Sequence, residues 1–290
     1  MFALYRMQAR VWFKNPFSYF NFIFATFFLV VLGAISGVQD TTAGVSDQQV
    51  QLLVQTSFGM AISAMIISSA NNFGFTVFNL RDSVLLKRIG ATKITKTQVI
   101  SEIVLWGVTT LFFVMIWIFF LQWLLGVTGF FGTYNDVTPL NPLYGQNIET
   151  DWATIKWGGL IVAILIGAIV SYIIALFFIS ISPNTDTYNI ITLFYFFFAA
   201  FLGGGVTIAS TRDWMEIAGK FTPIGWNREF IVSSINGFDV FNFTADNIVN
   251  PPFDSVQTIE GYTSALDFFM PFVFMIVVMP FTVKAFKWDQ

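Results

Sequence analysis

Residues 103–126 read IVLWGVTTLFFVMIWIFFLQWLLG, twenty-four positions without a charged side chain. A helix that crosses ~30 Å of hydrocarbon needs about 20 residues, mostly apolar, and this run meets that length on its own. Five more stretches do the same, at roughly 17–38, 53–78, 158–181, 188–208 and 266–283, each free of charge through its middle. A membrane β-barrel would instead show ~10-residue segments of alternating polarity. The composition agrees: 290 residues are 56% hydrophobic and 11% charged, and mean hydropathy is +0.70. A soluble domain carries roughly a quarter charged residues, so a water-soluble enzyme, a disordered chain and a coiled coil are excluded. The expected fold class is an all-α integral membrane protein with six transmembrane helices.

Basic residues set the orientation of such a chain, because cytoplasmic loops keep an excess of Lys and Arg. Arg6, Arg10 and Lys14 precede the first span. Arg81, Lys87, Arg88, Lys93 and Lys96 lie between the second and third, and Lys284 and Lys287 follow the sixth. These ten of the 14 basic residues fall on one side. The other side holds only Lys156, Arg212, Lys220 and Arg228, while 39–51 and 237–267 are acidic without Lys or Arg. Both termini are therefore expected in the cytoplasm, at the cell membrane. The first span could be a cleaved signal peptide, but its apolar run exceeds the usual 7–15 residues, so a retained span is expected. The net charge of −3 excludes a general nucleic-acid binder, which needs clustered positive charge. With no Cys and no His, the chain has no thiolate, disulfide or imidazole chemistry.

Four segments are not simple spans. Arg6, Arg10 and Lys14, four apart, fan over one side of a helix whose other positions include Phe2, Leu4, Val11, Trp12 and Phe13. Residues 1–14 thus read as a helix in the lipid headgroup layer, or else as a basic tail that only sets topology. In 79–102, Arg81-Asp82-Ser83-Val84-Leu85-Leu86-Lys87-Arg88-Ile89 reads as a short amphipathic helix that Gly90 can end. Thr95-Lys96-Thr97-Gln98 has capping-box spacing for the helix that follows. The bland alternative is a positive loop with no partner. In the outer segment 207–265, Thr222-Pro223 supplies a capping hydroxyl and a first-turn proline. Trp226, Phe230 and Ile231 then fall on one face, and Gly237 can terminate the helix. Trp214, Ile217, Ala218 and Phe221 form a similar stripe just before. The pair reads as two short helices dipping back toward the membrane, or as interfacial helices anchored by Trp. Gly203-Gly204-Gly205 marks either a break or a close approach in the fifth span, since each glycine costs a helix roughly 1 kcal/mol relative to Ala.

Motifs for chemistry are absent. No phosphate-cradling loop occurs, because Gly219-Lys220 is followed by Phe221. There is also no catalytic or metal-binding motif. The carboxylates nearest to spans, Glu102, Asp186 and Asp267, lie at expected ends, not at the membrane depth where proton relays sit. Polar groups do line the second span: Ser68, Asn72, Thr76 and Asn79 form one stripe on its cytoplasmic half, with Ser69 at the margin. That stripe can line a hydrated path or act as hydrogen-bond glue between helices or subunits, worth ~0.6–2 kcal/mol per contact.

Two motifs resemble the permease subunit of type-2 ATP-binding cassette exporters, a family that moves drugs, lipids, peptides or polysaccharide precursors. Arg81-Asp82 through Leu86-Lys87-Arg88-Ile89-Gly90-Ala91-Thr92-Lys93-Ile94-Thr95 is similar to the family's cytoplasmic pattern R-E-x-G-x-L-x-R-L-x-A-T-P-L-S, with Val84 in place of Gly and Lys93 in place of Pro. Phe201-Leu202-Gly203-Gly204, then Trp214-x-x-Ile217-x-x-x-Phe221-Thr222-Pro223-Ile224, resembles the family's glycine-then-Trp-to-Pro segment. The likeness extends over nearly the whole chain and implies one permease domain over 1–290. It implies that Arg81, Asp82, Leu85, Leu86, Lys87, Arg88 and Ile89 form a coupling helix that docks on a separate ATPase subunit. It further implies a second permease copy, or a related one, with the path between second and fifth spans. This chain would bind no cofactor; ATP and Mg would enter through the ATPase partner. Two rival classes remain, an ion-coupled or passive transporter without an ATPase, and a membrane-embedded enzyme acting on lipids.

Overall fold

The computed structural model describes residues 3–14, 23, 27, 30–31, 47–82, 96–131, 146–202, 222–237 and 264–285, and no strand forms among them. In chain order the helices are α1 (Ala3–Lys14), α2 (Asp47–Asp82), α3 (Lys96–Val127), α4 (Trp157–Ile181), α5 (Thr185–Leu202), α6 (Pro223–Ile235) and α7 (Ser264–Ala285). Of the expected first span, Ile23, Phe27, Val30 and Val31 are described, and each is helical. Among the described residues, three apolar segments are long enough to cross a membrane: Val54–Phe78, Glu102–Val127 and Trp157–Ile181. At 1.5 Å per residue, α2 and α3 each run to about 50 Å, so both extend beyond a hydrocarbon layer.

Local chemistry sets the helix ends. Pro183 has no N–H and disfavours helical backbone at the residue before it; α4 stops there, with Ser182 extended (φ −85°, ψ 123°). The next helix starts at once, because Asn184 Oδ1 accepts the Thr187 N–H at 2.8 Å. Inside α7, Pro271 and Pro280 each remove a backbone donor.

Packing centres on α4, which touches α2, α5, α6 and α7. Gly159, Ala163, Gly167, Ser171 and Ala175 recur at every fourth position, and all are buried. Such a seam lets neighbouring backbones approach closely, which is how helices associate where lipid removes the hydrophobic drive. On the other side of α4, Ile161, Leu165 and Ile169 are exposed. Exposed apolar side chains also cover α3, α5 and α7, up to 63% for Phe112 and 73% for Ile276. A water-facing surface of that kind would aggregate, whereas lipid tails accept it.

Aromatic groups collect at both ends of the long helices, where amphipathic rings suit the boundary between lipid and water. At one end Phe58, Phe119, Trp152 and Trp157 form a cluster, with Trp152 stacked on Trp157 at 6.5 Å. At the other, Trp12 of α1 meets Trp106 of α3 edge-on at 6.2 Å. Gln55 Nε2 ties α2 to the loop before α4 through the Asp151 carbonyl and Thr154 Oγ1, and Gln122 donates to Thr150 Oγ1 at 2.8 Å.

Tyr188 anchors the contact between α2 and α5. Tyr188 is buried, stacks on Phe78 at 5.6 Å and donates its hydroxyl to the Asn71 carbonyl at 3.3 Å. Its ring occupies the space a Cβ on Gly74 would need. Gly74→Ala should therefore destabilise the protein by about 1–3 kcal/mol, the usual result of overpacking. Gly158→Ala, with nothing within 4 Å of the new methyl, should change stability by under about 0.5 kcal/mol. Thermal unfolding of both variants in one detergent checks the contrast; equal melting would show that Tyr188 does not fill that notch.

Candidate functional site

Of the coupling segment expected at 81–89, Arg81 and Asp82 are the last two residues of α2, so the long helix continues through them and does not break before Arg81. Leu85, Leu86, Lys87, Arg88 and Ile89 lie outside the described residues. The helix start read at Thr95–Gln98 is met by α3, which begins at Lys96. The connection 83–95 therefore leaves and returns on two helices that both overrun the apolar spans.

The stripe on α2 faces outward more than inward. Ser68 and Thr76 are half-buried, Asn72 is exposed, and the Asn79 side chain lies outside the described residues. Thr76 Oγ1 returns to its own helix, donating to the Asn72 carbonyl at 2.9 Å. None of these three bonds to another helix among the described residues. The polar glue within the bundle comes from the next position round α2. Ser69 is buried and bonds the Tyr172 hydroxyl at 3.4 Å, while that hydroxyl donates to the Gly107 carbonyl at 2.7 Å. Tyr172 thereby joins α2, α3 and α4, with Phe73 stacked on its ring at 4.6 Å. The sequence reading passed over Tyr172; a tyrosine beside a small-residue seam was the available signal.

The short helix α6 is where structure adds most. Thr222 caps it, its hydroxyl accepting the Gly225 N–H at 3.1 Å, and Pro223 opens its first turn. Its C-terminal glycine, Gly237, has φ 86°. Trp226, Phe230 and Ile231 are buried as the spacing predicts. Also buried, however, are Asn227, Arg228, Ser234 and Ile235 on other faces. The helix is packed among α2, α4 and α7, not laid on a surface. Its C-terminal end meets the start of α4, where Lys156 N–H donates to the Ser234 carbonyl at 2.8 Å, and Asn236 donates to Thr56 Oγ1 of α2. Further in, the Asn227 amide fills the space of a Cβ on Gly167, ten residues and about 15 Å along α4. Thus α6 begins near the middle of α4 and runs back to its N-terminal end. Trp214, Phe221 and Gly203–Gly205 lie outside the described residues.

This placement buries a cation. Arg228 is 7% exposed and pairs with the neighbouring Glu229 carboxylate. The sequence reading put Arg228 in an outer loop as one of four basic residues there, because a 13-residue helix is too short to register as a span. An ionisable group inside a membrane bundle is expensive and marks function more often than packing. No group of acidic residues that could hold a metal ion occurs among the described residues.

The fold and these groups define an α-helical membrane protein with a polar, partly charged short helix inside its bundle. Compared with family models, with curated proteins and with solved structures, the chain matches none.

Removing one partner of a buried ion pair leaves the other uncompensated, whereas replacing both by apolar groups is often near neutral. Because the Glu229 side chain is 32% exposed, Glu229→Gln should cost roughly 1–2 kcal/mol of stability, and the pair Arg228→Met with Glu229→Leu should cost less than that single change. A double-mutant cycle on thermal unfolding reads this directly, and additive effects would show that the two side chains do not act as a pair.

Proposed function

We propose that this chain is the membrane-spanning permease subunit of an ATP-driven exporter, working with a separate ATPase. In this reading six helices span the cell membrane with both termini in the cytoplasm, and α6 is a re-entrant helix entered from the outer side. The observation that carries the reading is the order of two sequence segments along the chain. The Arg81-to-Thr95 motif joins α2 to α3, and the Trp214-to-Ile224 motif runs into the capped start of α6. A bundle holding a short polar helix among long apolar ones also suits a protein that opens a path for a partly polar solute.

Mechanistically, the connection 83–95 sits between the two longest helices, so a push on it would be transmitted along both. Closure of two ATPases on ATP would move the coupling segments and tilt α2 and α3 against the α4 seam. The outward stripe Ser68, Asn72 and Thr76 would then line a path shared with a second permease. This chain would do no covalent chemistry; ATP and Mg would be held by the ATPase. The substrate class is amphipathic, drug-like or lipid-like. An ion-coupled or passive transporter is the competing reading, and it needs no ATPase contact at 81–89.

A docking helix needs its apolar face, whereas a loop that only sets topology needs its charges. Burying a Leu or Ile side chain is worth about 1.5–3 kcal/mol. Leu85→Ala with Ile89→Ala should therefore abolish ATPase copurification and transport. Membrane insertion and orientation should stay intact, because Arg81, Lys87, Arg88, Lys93 and Lys96 remain. Arg88→Gln alone should be milder, since an exposed ion pair contributes little. Normal ATPase recovery with the double alanine variant would remove the docking role and favour the transporter that acts alone.

A further inference from the structure

We propose that α1 is a recognition element for anionic phospholipid, presenting Arg6, Arg10 and Lys14 to the headgroups of the leaflet at which α3 begins. The first observation is how α1 is held. Tyr5 donates its backbone N–H to Glu102 Oε2 at 3.2 Å, so a carboxylate of α3 supplies an acceptor to the first turn of α1. The Tyr5 hydroxyl reaches Thr109 Oγ1 at 3.3 Å, and its ring meets Trp106 edge-on at 5.6 Å. One turn on Gln8 is buried, and Trp12 closes the contact against Trp106. Tyr5, Gln8 and Trp12 therefore form a docked face that fixes the rotation of the helix.

Fixed rotation decides where the cations go. At 3.6 residues per turn, the centre of the Arg6–Arg10–Lys14 row lies about 170° around the helix from that docked face. All three side chains are exposed, and α1 contains no acidic residue to neutralise them. Exposed Phe13 borders the row. Depth is set by Glu102, the last charge before the uncharged run to Val127. Glu102 and Thr109 together hold α1 against the first two turns of that run. A row of positive charge with an exposed aromatic beside it, held at the edge of an apolar span, complements a negative headgroup layer. A soluble acidic protein could match the charge but gives no reason for Phe13 to be exposed at that level.

The proposal needs only that α3 crosses the membrane, so its failure would leave the ATPase copurification result untouched. The chain has no cysteine, so Ala9→Cys, at a half-buried position beside the row, carries a single bimane label. The full chain is reconstituted in phosphatidylcholine vesicles containing increasing fractions of brominated phosphatidylglycerol or brominated phosphatidylcholine. A basic side chain near an anionic leaflet is worth roughly a fivefold preference, so the anionic quencher should win by at least roughly fivefold at low salt. That preference should fall toward unity at high salt and in Arg6→Gln/Arg10→Gln/Lys14→Gln, and persist in Arg6→Lys/Arg10→Lys. Equal quenching by the two lipids would overturn the proposal and leave the row to an acidic protein. An unchanged preference in the glutamine variant, or one insensitive to salt, would overturn it as well. So would its loss on adding millimolar inorganic phosphate, which would mark a site for free phosphate. The salt series and the lysine variant decide the matter even if the glutamine variant fails to fold.

Discussion

Everything else in the bundle depends on how closely its helices can approach α4. Lipid tails are as apolar as the side chains they surround, so burial of Leu or Ile supplies no net drive for helices to associate there. What remains is backbone approach and the hydrogen bonds that approach allows. The row Gly159, Ala163, Gly167, Ser171 and Ala175 supplies it, presenting small side chains to α2, α6 and α7 while Ile161, Leu165 and Ile169 face outward. Asn227 lies on Gly167, and the Tyr172 hydroxyl reaches Ser69 and the Gly107 carbonyl because these surfaces are thin. Larger side chains along this row would push α6 away and expose its polar groups to lipid.

That dependence explains how a helix as polar as α6 is tolerated. A 13-residue helix leaves its first N–H groups without helical partners, and a bilayer supplies none. The Thr222 hydroxyl takes one of them, Pro223 has no N–H to satisfy, and Glu229 neutralises Arg228. These local features lower the cost of placing the first turn of α6 and its cation inside the bundle. The two ends of the helix are held by different kinds of contact. The C-terminal end is bonded to the Lys156 backbone and to Thr56, whereas the inner end rests on the packing of Asn227 at Gly167.

Much of the fold was legible because hydrophobic length is a direct physical requirement of a bilayer. The expected spans at 53–78, 103–126 and 158–181 each fall on a helix long and apolar enough to cross a membrane, and the described residues of 188–208 and 266–283 are helical. The Thr222–Pro223 start and the Gly237 stop were legible for the same kind of reason: a capping hydroxyl, a ring without N–H and a backbone at positive φ are local demands. The candidate site was less so. Ser68, Asn72 and Thr76 were readable as one stripe, but their spacing does not say which way it faces. The separate short helix expected from Arg81 is not met there, since α2 runs on through Arg81 and Asp82 and an amphipathic pattern continues equally well across a joint.

By itself, then, the sequence determined that the chain is helical, that it is too apolar for water, and where its long apolar segments lie, because each follows from properties of neighbouring residues. Only the tertiary structure decided that Arg228 is buried, that Ser69 and not Ser68 meets Tyr172, and that α1 turns Tyr5, Gln8 and Trp12 toward α3. These facts rest on contacts between residues tens to hundreds of positions apart. A side chain's burial depends on what lies opposite it in space, and no local pattern of apolar and polar residues carries that information.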